Sequence, residues 1–144
     1  MKRLRISLKR HEAITVDRVS IGRQKLAYVI CADKKLRYGE KRTKIAYIGT
    51  TKNGIDRFAQ SAASRSDEVL RLNGVERLTV HVVTCTPRRR VKTWHKLERA
   101  LLLMFKDMFD EVPICNTQGK NFKWSGEREM FSVQRLRTVL EDLS

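Results

Sequence analysis

An acidic residue interrupts the apolar face of a long predicted helix, about Val91–Asp110. The apolar residues that recur at helical spacing are Val91, Trp94, Leu101, Phe105 and Met108. Glu98 lies four residues after Trp94 and three before Leu101, which places it on the same face. A buried carboxylate is costly unless it is paired or coordinates a metal. Two interpretations stay open: Glu98 is a metal ligand or general acid–base group, or it is an edge glutamate paired with a lysine or arginine.

The histidines and cysteines give weaker signals for chemistry. They are His11, His81 and His95, and Cys31, Cys85 and Cys115. His95 precedes Glu98 by three residues, a spacing that is a poor metal signature by itself, so a structural or surface role is expected for each histidine. The cysteines form no Cys-x-x-Cys pair, which argues against a disulfide framework and a zinc site and favours a reducing compartment.

A tyrosine-bearing strand is predicted within the stretch KIAYIGTTKNGIDRF, Lys44–Phe58. Ile45–Ile48 is an apolar run, Gly49 interrupts it, and a polar loop follows. A helix then begins, and it carries Arg57 ten residues after Tyr47. A tyrosine and an arginine are therefore expected at the two ends of one short strand–loop–helix unit.

Hydrophobic periodicity predicts the other elements. The three strands of the sheet are expected at Leu26–Cys31, Ile45–Ile48 and Leu78–Cys85, with Ala32–Lys44 as a long basic loop, and the weakly patterned Ile14–Ile21 is a further candidate strand. Helices are expected at Gly54–Arg65 with Asn53 as N-cap, at a further turn Asp67–Leu72, at Val91–Asp110, and from Ser125 through Met130, Val133, Leu136, Leu140 and Leu143. This order predicts an α+β fold, with one domain over residues 1–144 and a small three-stranded antiparallel sheet flanked by helices.

The charge of the chain predicts a polyanionic partner. Lysines and arginines number 31 against 16 aspartates and glutamates, a net charge of +15. Such a field most often attracts nucleic acid, although a scattered basic surface, as in many ribosome-associated proteins, would give the same charge. No run approaches the ~18 apolar residues of a membrane span, and no apolar run typical of a signal peptide follows the basic start. We expect no membrane partner, and a cytoplasmic protein or, in a eukaryote, a nuclear one.

These features together resemble the GIY-YIG nuclease family. The second of its two name-giving motifs is intact as Tyr47–Gly49, and the first corresponds to Leu26–Tyr28, where only the tyrosine is kept. Arg57 matches the position of the family's catalytic arginine, and Glu98 matches its metal-binding glutamate. Asn116, in PICNTQG, is similar to the asparagine that follows that glutamate.

The resemblance covers most of the chain. Residues 24–120 would form the nuclease core, 1–23 a basic N-terminal segment and 121–144 a C-terminal helical extension. The sequence departs from the family in three respects: the first motif lacks its glycine and isoleucine, the link between the motifs is longer than usual, and Ser61 stands where many members have a histidine or tyrosine.

The resemblance implies a DNA endonuclease that hydrolyses phosphodiester bonds with Mg²⁺ or Mn²⁺. In such an enzyme Glu98 would bind the metal, Arg57 would stabilise the transition state, and Tyr47 would activate water. Tyr28 would position the attacking water, and Asn116 would orient Glu98 or a strand. A non-catalytic nucleic-acid-binding module of the same fold and an RNA-directed nuclease are the alternatives.

Basic segments would then contact phosphates in a salt-sensitive and mostly sequence-independent way. The residues expected to bind nucleic acid are Lys35, Arg37, Lys41, Arg42, Lys52, Arg88, Arg89, Arg90 and Lys92. DNA is the expected partner, and the protein is expected to be a monomer or a homodimer.

Overall fold

The protein is built on a three-stranded antiparallel sheet with helices packed on it. The computed structural model describes residues 3–13, 15, 25–52 and 54–144, apart from the side chains of 54–58. The strands are β1 (Leu26–Tyr38), β2 (Lys41–Thr51) and β3 (Leu78–Val83), in the order β2-β1-β3. The helices are α1 (Gly54–Leu70), α2 (Thr93–Phe109), α3 (Glu127–Met130) and α4 (Val133–Leu143). The predicted α+β fold is confirmed.

The prediction of a basic loop at Ala32–Lys44 is wrong, because this segment is part of a β-hairpin. β1 and β2 continue through it and join at a two-residue turn, where Gly39 has a φ of +61° that few other residues adopt. Leu36 pairs with Thr43 and both are buried, whereas the neighbouring lysines and arginines are exposed. The many positive charges therefore concealed a period-two strand pattern.

The first helix is longer than its sequence pattern predicted. The separate helical turn expected at Asp67–Leu72 continues α1 instead, as far as Leu70. An ion pair of 2.9 Å between Arg65 and Glu68, three residues apart, spans the point where the two pieces were expected to separate. The predicted strand Ile14–Ile21, apart from Thr15, and the predicted N-cap Asn53 lie outside the described residues.

The single C-terminal helix starting from Ser125 is also a wrong prediction, because this region forms two helices. α3 ends at Met130, and α4 begins after Ser132, whose hydroxyl accepts a hydrogen bond of 3.2 Å from the backbone N–H of Arg135. Such a bond satisfies one of the free N–H groups of a helix start. The serine that caps a helix here is therefore seven residues later than expected. Smaller boundary differences are the end of β3 at Val83 and the start of α2 at Thr93.

The core lies between the sheet and α2 and includes part of α4. Leu101 and Phe105 of α2 are fully buried, and Phe105 packs edge-on against Tyr38 of β1 with ring centroids 5.2 Å apart. Leu136 and Leu140 of α4 belong to the same apolar cluster. Among the described residues, no helix has the length and apolar character needed to cross a membrane.

Candidate active site

A cavity of about 640 Å³ lies between the paired strands β1 and β2, helices α1 and α2, and the loop after α2. Four of the five predicted catalytic residues line it: Tyr28 from β1, Tyr47 from β2, Glu98 from α2 and Asn116 from the loop. The antiparallel pairing of β1 and β2 brings the two tyrosines together, although 19 positions separate them in the chain. Distant segments thus converge on one polar space.

The two tyrosine rings lie over Gly49, which explains the glycine of the Tyr-Ile-Gly motif. Gly49 pairs with Tyr28 across the strands, and the centroids of the Tyr28 and Tyr47 rings are 5.9 Å apart. A Cβ atom at Gly49 would lie 2.6 Å from a ring carbon of Tyr47 and 2.7 Å from the hydroxyl of Tyr28. Any side chain at this position would displace at least one of the rings.

The two phenols differ in their access to solvent. Tyr28 is 2% exposed, whereas Tyr47 is half-buried. Burial, followed by the proximity of Tyr47, raises the pKa of Tyr28, although a hydrogen bond with Ser61 acts in the opposite direction. Tyr28 therefore keeps its proton and can position its neighbour, while Tyr47 is the more accessible to water.

Glu98 is half-buried in the cavity wall, between His95 and Leu102 on one face of α2. Burial raises the pKa of its carboxyl group to about 7. Ion pairs among the described residues join other partners, namely Arg65 with Glu68, Arg71 with Asp67, and Arg99 with Glu127. Within that part of the chain, the interpretation of Glu98 as a paired edge glutamate has no support.

Asn116 is hydrogen-bonded to the edge strand β2 at Ile48, the residue between Tyr47 and Gly49. Its side-chain oxygen accepts a hydrogen bond from the backbone N–H of Ile48, and its side-chain nitrogen donates one to the Ile48 carbonyl, both of 2.9 Å. The backbone N–H of Cys115 also donates to the carbonyl of Ala46 at 2.9 Å. The loop after α2 therefore pairs with β2 almost as a strand would, and of the two predicted roles Asn116 has the one of orienting a strand.

Helix α1 contributes polar side chains that sequence reasoning did not assign to the site. They are Gln60, Ser61, Ser64 and Arg65. Arg57 belongs to α1, four residues before Ser61, but its side chain is outside the described part of the structure. The signal for Ser61 and Ser64 was present in their shared helix face with Arg57. Arg65 follows Ser61 by four residues and so shares this face, but its contact with Tyr47 depends on how α1 packs against β2.

The histidines occupy three different environments. His95 lines the cavity, and burial, followed by the charges of Lys92 and Lys52, lowers its pKa. His81 lies on β3, where its ring is 3.1 Å from the Thr79 hydroxyl, and His11 is exposed. A neutral His95 is a potential hydrogen-bonding group at the cavity wall, which its sequence context did not indicate.

The nine residues predicted to bind nucleic acid do not line the cavity. All nine are exposed: Lys35, Arg37, Lys41 and Arg42 on the β1–β2 hairpin, Lys52 after β2, and Arg88, Arg89, Arg90 and Lys92 before α2. Arg37 and Arg42 pair directly across the hairpin, where like charges repel. Lys41 also donates a 2.7 Å hydrogen bond to the Met108 carbonyl near the end of α2. The basic surface therefore lies in three places outside the cavity.

Comparison of the chain with family models, curated proteins and solved structures gave no match.

Proposed function

We propose that this protein is a divalent-metal-dependent endonuclease that hydrolyses phosphodiester bonds of DNA, with an active site of the GIY-YIG type. The observation that carries the proposal is the convergence of Tyr28, Tyr47, Glu98 and Asn116 on one cavity. These residues come from four separate segments and match, in order, the residues on which the sequence resemblance rests. The net charge of +15 supports a polyanionic substrate.

The environment of Glu98 suits a weakly held hard cation. Its carboxylate is half-buried, has no ion-pair partner among the described residues, and keeps its proton until about pH 7 because of burial. No group of three His, Cys, Asp or Glu side chains in the described ranges could enclose a metal. One carboxylate, with water and phosphate oxygens as the other ligands, is a common arrangement for Mg²⁺. A cation bound there would supply positive charge for the departing 3′ oxygen.

Arg57 and the residues of the cavity would divide the reaction between them. The ionised Tyr47 takes a proton from a water molecule, and the resulting hydroxide oxygen forms a bond to phosphorus. The bond from phosphorus to the 3′ oxygen breaks, which leaves a 3′-hydroxyl after protonation and a 5′-phosphate. Arg57 would hold the charged non-bridging oxygens, because a guanidinium is always charged and donates along two directions. Tyr28 packs against the Tyr47 ring and Asn116 is hydrogen-bonded to the backbone of the next residue, Ile48, so both would help to position Tyr47.

The test is digestion of linear, nicked and branched DNA with Mg²⁺ or Mn²⁺, with mapped cut sites. Glu98→Ala and Arg57→Ala are each expected to reduce the cleavage rate by about 10³-fold, while binding to DNA is retained, since both residues act on the transition state. Glu141→Ala and Arg71→Ala are matched controls, because these exposed residues do not line the cavity. Their rates are expected to equal that of the unmodified protein.

The outcomes separate the alternatives. Binding without cleavage of any DNA with either metal would contradict the nuclease and favour a non-catalytic nucleic-acid-binding module. Faster cleavage of an RNA strand than of the DNA strand of the same sequence would favour an RNA-directed nuclease. Equal loss of activity in Glu98→Ala and in the controls would contradict the assignment of the active site to the cavity.

A further inference from the structure

A second arginine of α1 lies against the tyrosine that is proposed to activate water. The guanidinium carbon of Arg65 is 5.0 Å from the centroid of the Tyr47 ring. Glu68, one turn later on α1, pairs with the same guanidinium, with 2.9 Å between Arg65 Nη1 and Glu68 Oε1. Arg65 is half-buried and contributes to the cavity wall.

Arg65 and Tyr47 are close enough for an ionised phenol to act electrostatically on the guanidinium. The charge of Tyr47 is the largest influence on the guanidinium and raises its pKa, partial burial opposes this, and Glu68 adds to it. An attraction between a guanidinium and a phenol oxygen is strongest when the phenol has lost its proton. The contact therefore favours the form of tyrosine that can accept a proton from water.

Arg65 is the one lysine or arginine among the described residues that line the cavity. The other titratable groups there are Tyr28 from β1 and His95 and Glu98 from α2. Tyr28 carries no positive charge in either protonation state, and burial, followed by the charges of Lys92 and Lys52, lowers the pKa of His95, so neither group supplies a positive charge at neutral pH. A tyrosine has an ordinary pKa near 10 and needs a nearby cation to act as a base at neutral pH. Arg65 is placed to be that cation.

We propose that Arg65 is a positioning residue for Tyr47, which orients its phenol ring and supplies the positive charge that stabilises the phenolate during water activation. This inference rests on the proposed nuclease function. In the reaction Tyr47 first releases its proton to solvent, and the phenolate beside Arg65 then accepts the proton of the attacking water. In this proposal Arg65 acts through Tyr47 and not by direct contact with the water or the phosphate.

The first experiment compares the pH dependence of kcat/KM for cleavage in the unmodified protein, Arg65→Ala and Arg65→Lys. Arg65→Ala is expected to lower kcat/KM about tenfold near neutral pH and to move the midpoint of the rise with pH upward by about one unit. Arg65→Lys keeps the charge and is expected to recover most of the rate. Arg71→Ala is the matched control, since Arg71 forms an exposed ion pair with Asp67 beside the same helix. An unshifted profile in Arg65→Ala, or equal losses in both Arg65 variants, would overturn the proposal.

A second experiment does not depend on catalysis. The ionisation of Tyr47 is followed by the near-ultraviolet absorbance of phenolate, as the difference between a protein with Tyr47 and the same protein with Tyr47→Phe. Burial raises the pKa of both other tyrosines, Tyr28 and Tyr38, so their signals appear only in strong alkali. The Tyr47 signal is expected to move to higher pH in Arg65→Ala and to stay in place in Arg71→Ala. An unmoved signal refutes the role of Arg65 whether or not the protein cleaves DNA, whereas a moved signal in an inactive protein refutes only the nuclease.

Discussion

Glu98 of α2 and Glu127, which pairs with Arg99 of α2, have opposite environments. Glu127 is 1% exposed; its Oε1 is 2.6 Å from Nε of Arg99, and its Oε2 accepts a 2.6 Å hydrogen bond from the backbone N–H of Ser125. Glu98, the residue before Arg99, is half-buried and has no ion-pair partner among the described residues. Adjacent residues of one helix thus face a closed ion pair and an open cavity.

The difference appears in the proton affinity of the two carboxyl groups. Burial raises the pKa of Glu127, but the hydrogen bond from Ser125 and then the hydrogen bond and charge of Arg99 outweigh it, so the pKa is lowered overall. Burial raises the pKa of Glu98 to about 7, and no described partner offsets it. A carboxylate that is ion-paired and hydrogen-bonded within the chain has a structural role. A carboxylate without such a partner in a cavity can still bind a ligand.

The largest expected effect on stability comes from breaking the closed pair. Glu127→Ala leaves Arg99 without its carboxylate and should lower the free energy of unfolding by about 3 kcal/mol at pH 7, as loss of one partner of a buried pair does. Since the folded pKa of Glu127 is below its usual 4.5, its contribution is present above pH 4.5 and is lost as pH falls through the folded pKa. Urea unfolding of the variant and the unmodified protein at pH 7 and pH 3 would measure both. An equal deficit at the two pH values would show that the charge of Glu127 is unimportant.

Glu98 should have the opposite effect on stability. Its pKa rises from 4.5 in the unfolded chain to about 7 in the folded one, so the folded state binds more protons between these values and loses stability as pH rises through them. Glu98→Gln removes this cost and, allowing for partial exposure, should stabilise the protein by about 2 kcal/mol at pH 8 and by almost nothing at pH 4. Thermal unfolding at both pH values tests this. Destabilisation at pH 8 would mean that the carboxylate has a partner in the folded protein.

A smaller effect, about 1 to 2 kcal/mol, is expected from added metal. A ligand that binds only the folded state at ten times its dissociation constant stabilises it by about 1.4 kcal/mol. Mg²⁺ should therefore raise the melting temperature of the unmodified protein above pH 7, where Glu98 is ionised, and much less at pH 5. Glu98→Gln should abolish the rise and Glu141→Gln should leave it intact. A rise that survives in Glu98→Gln would place the metal elsewhere.

Local patterns were sufficient for part of the fold. The helical period placed Glu98 on the apolar face of α2, and the run ending at Gly49 predicted a strand. The same reasoning failed where charge or a short break concealed the pattern: the basic hairpin, the continuous α1 and the separation of α3 from α4. Two of the site residues, Tyr28 and Asn116, drew attention only through the family resemblance, because a tyrosine or asparagine has no unusual period of its own.

The sequence by itself determined which residues lie on the same face of an element, because the periods of helices and strands depend on backbone geometry alone. Two examples are Glu98, on the apolar face of α2, and Gly49, which lies two residues after Tyr47 on the same face of β2. What faces those residues was decided only by the tertiary structure. Arg99 meets Glu127 from 28 residues away, and Arg65 meets Tyr47 from a different element. Whether a buried charge is paired depends on such contacts between distant segments, and it is the missing partner of Glu98 within the described structure that makes this acid a candidate for function.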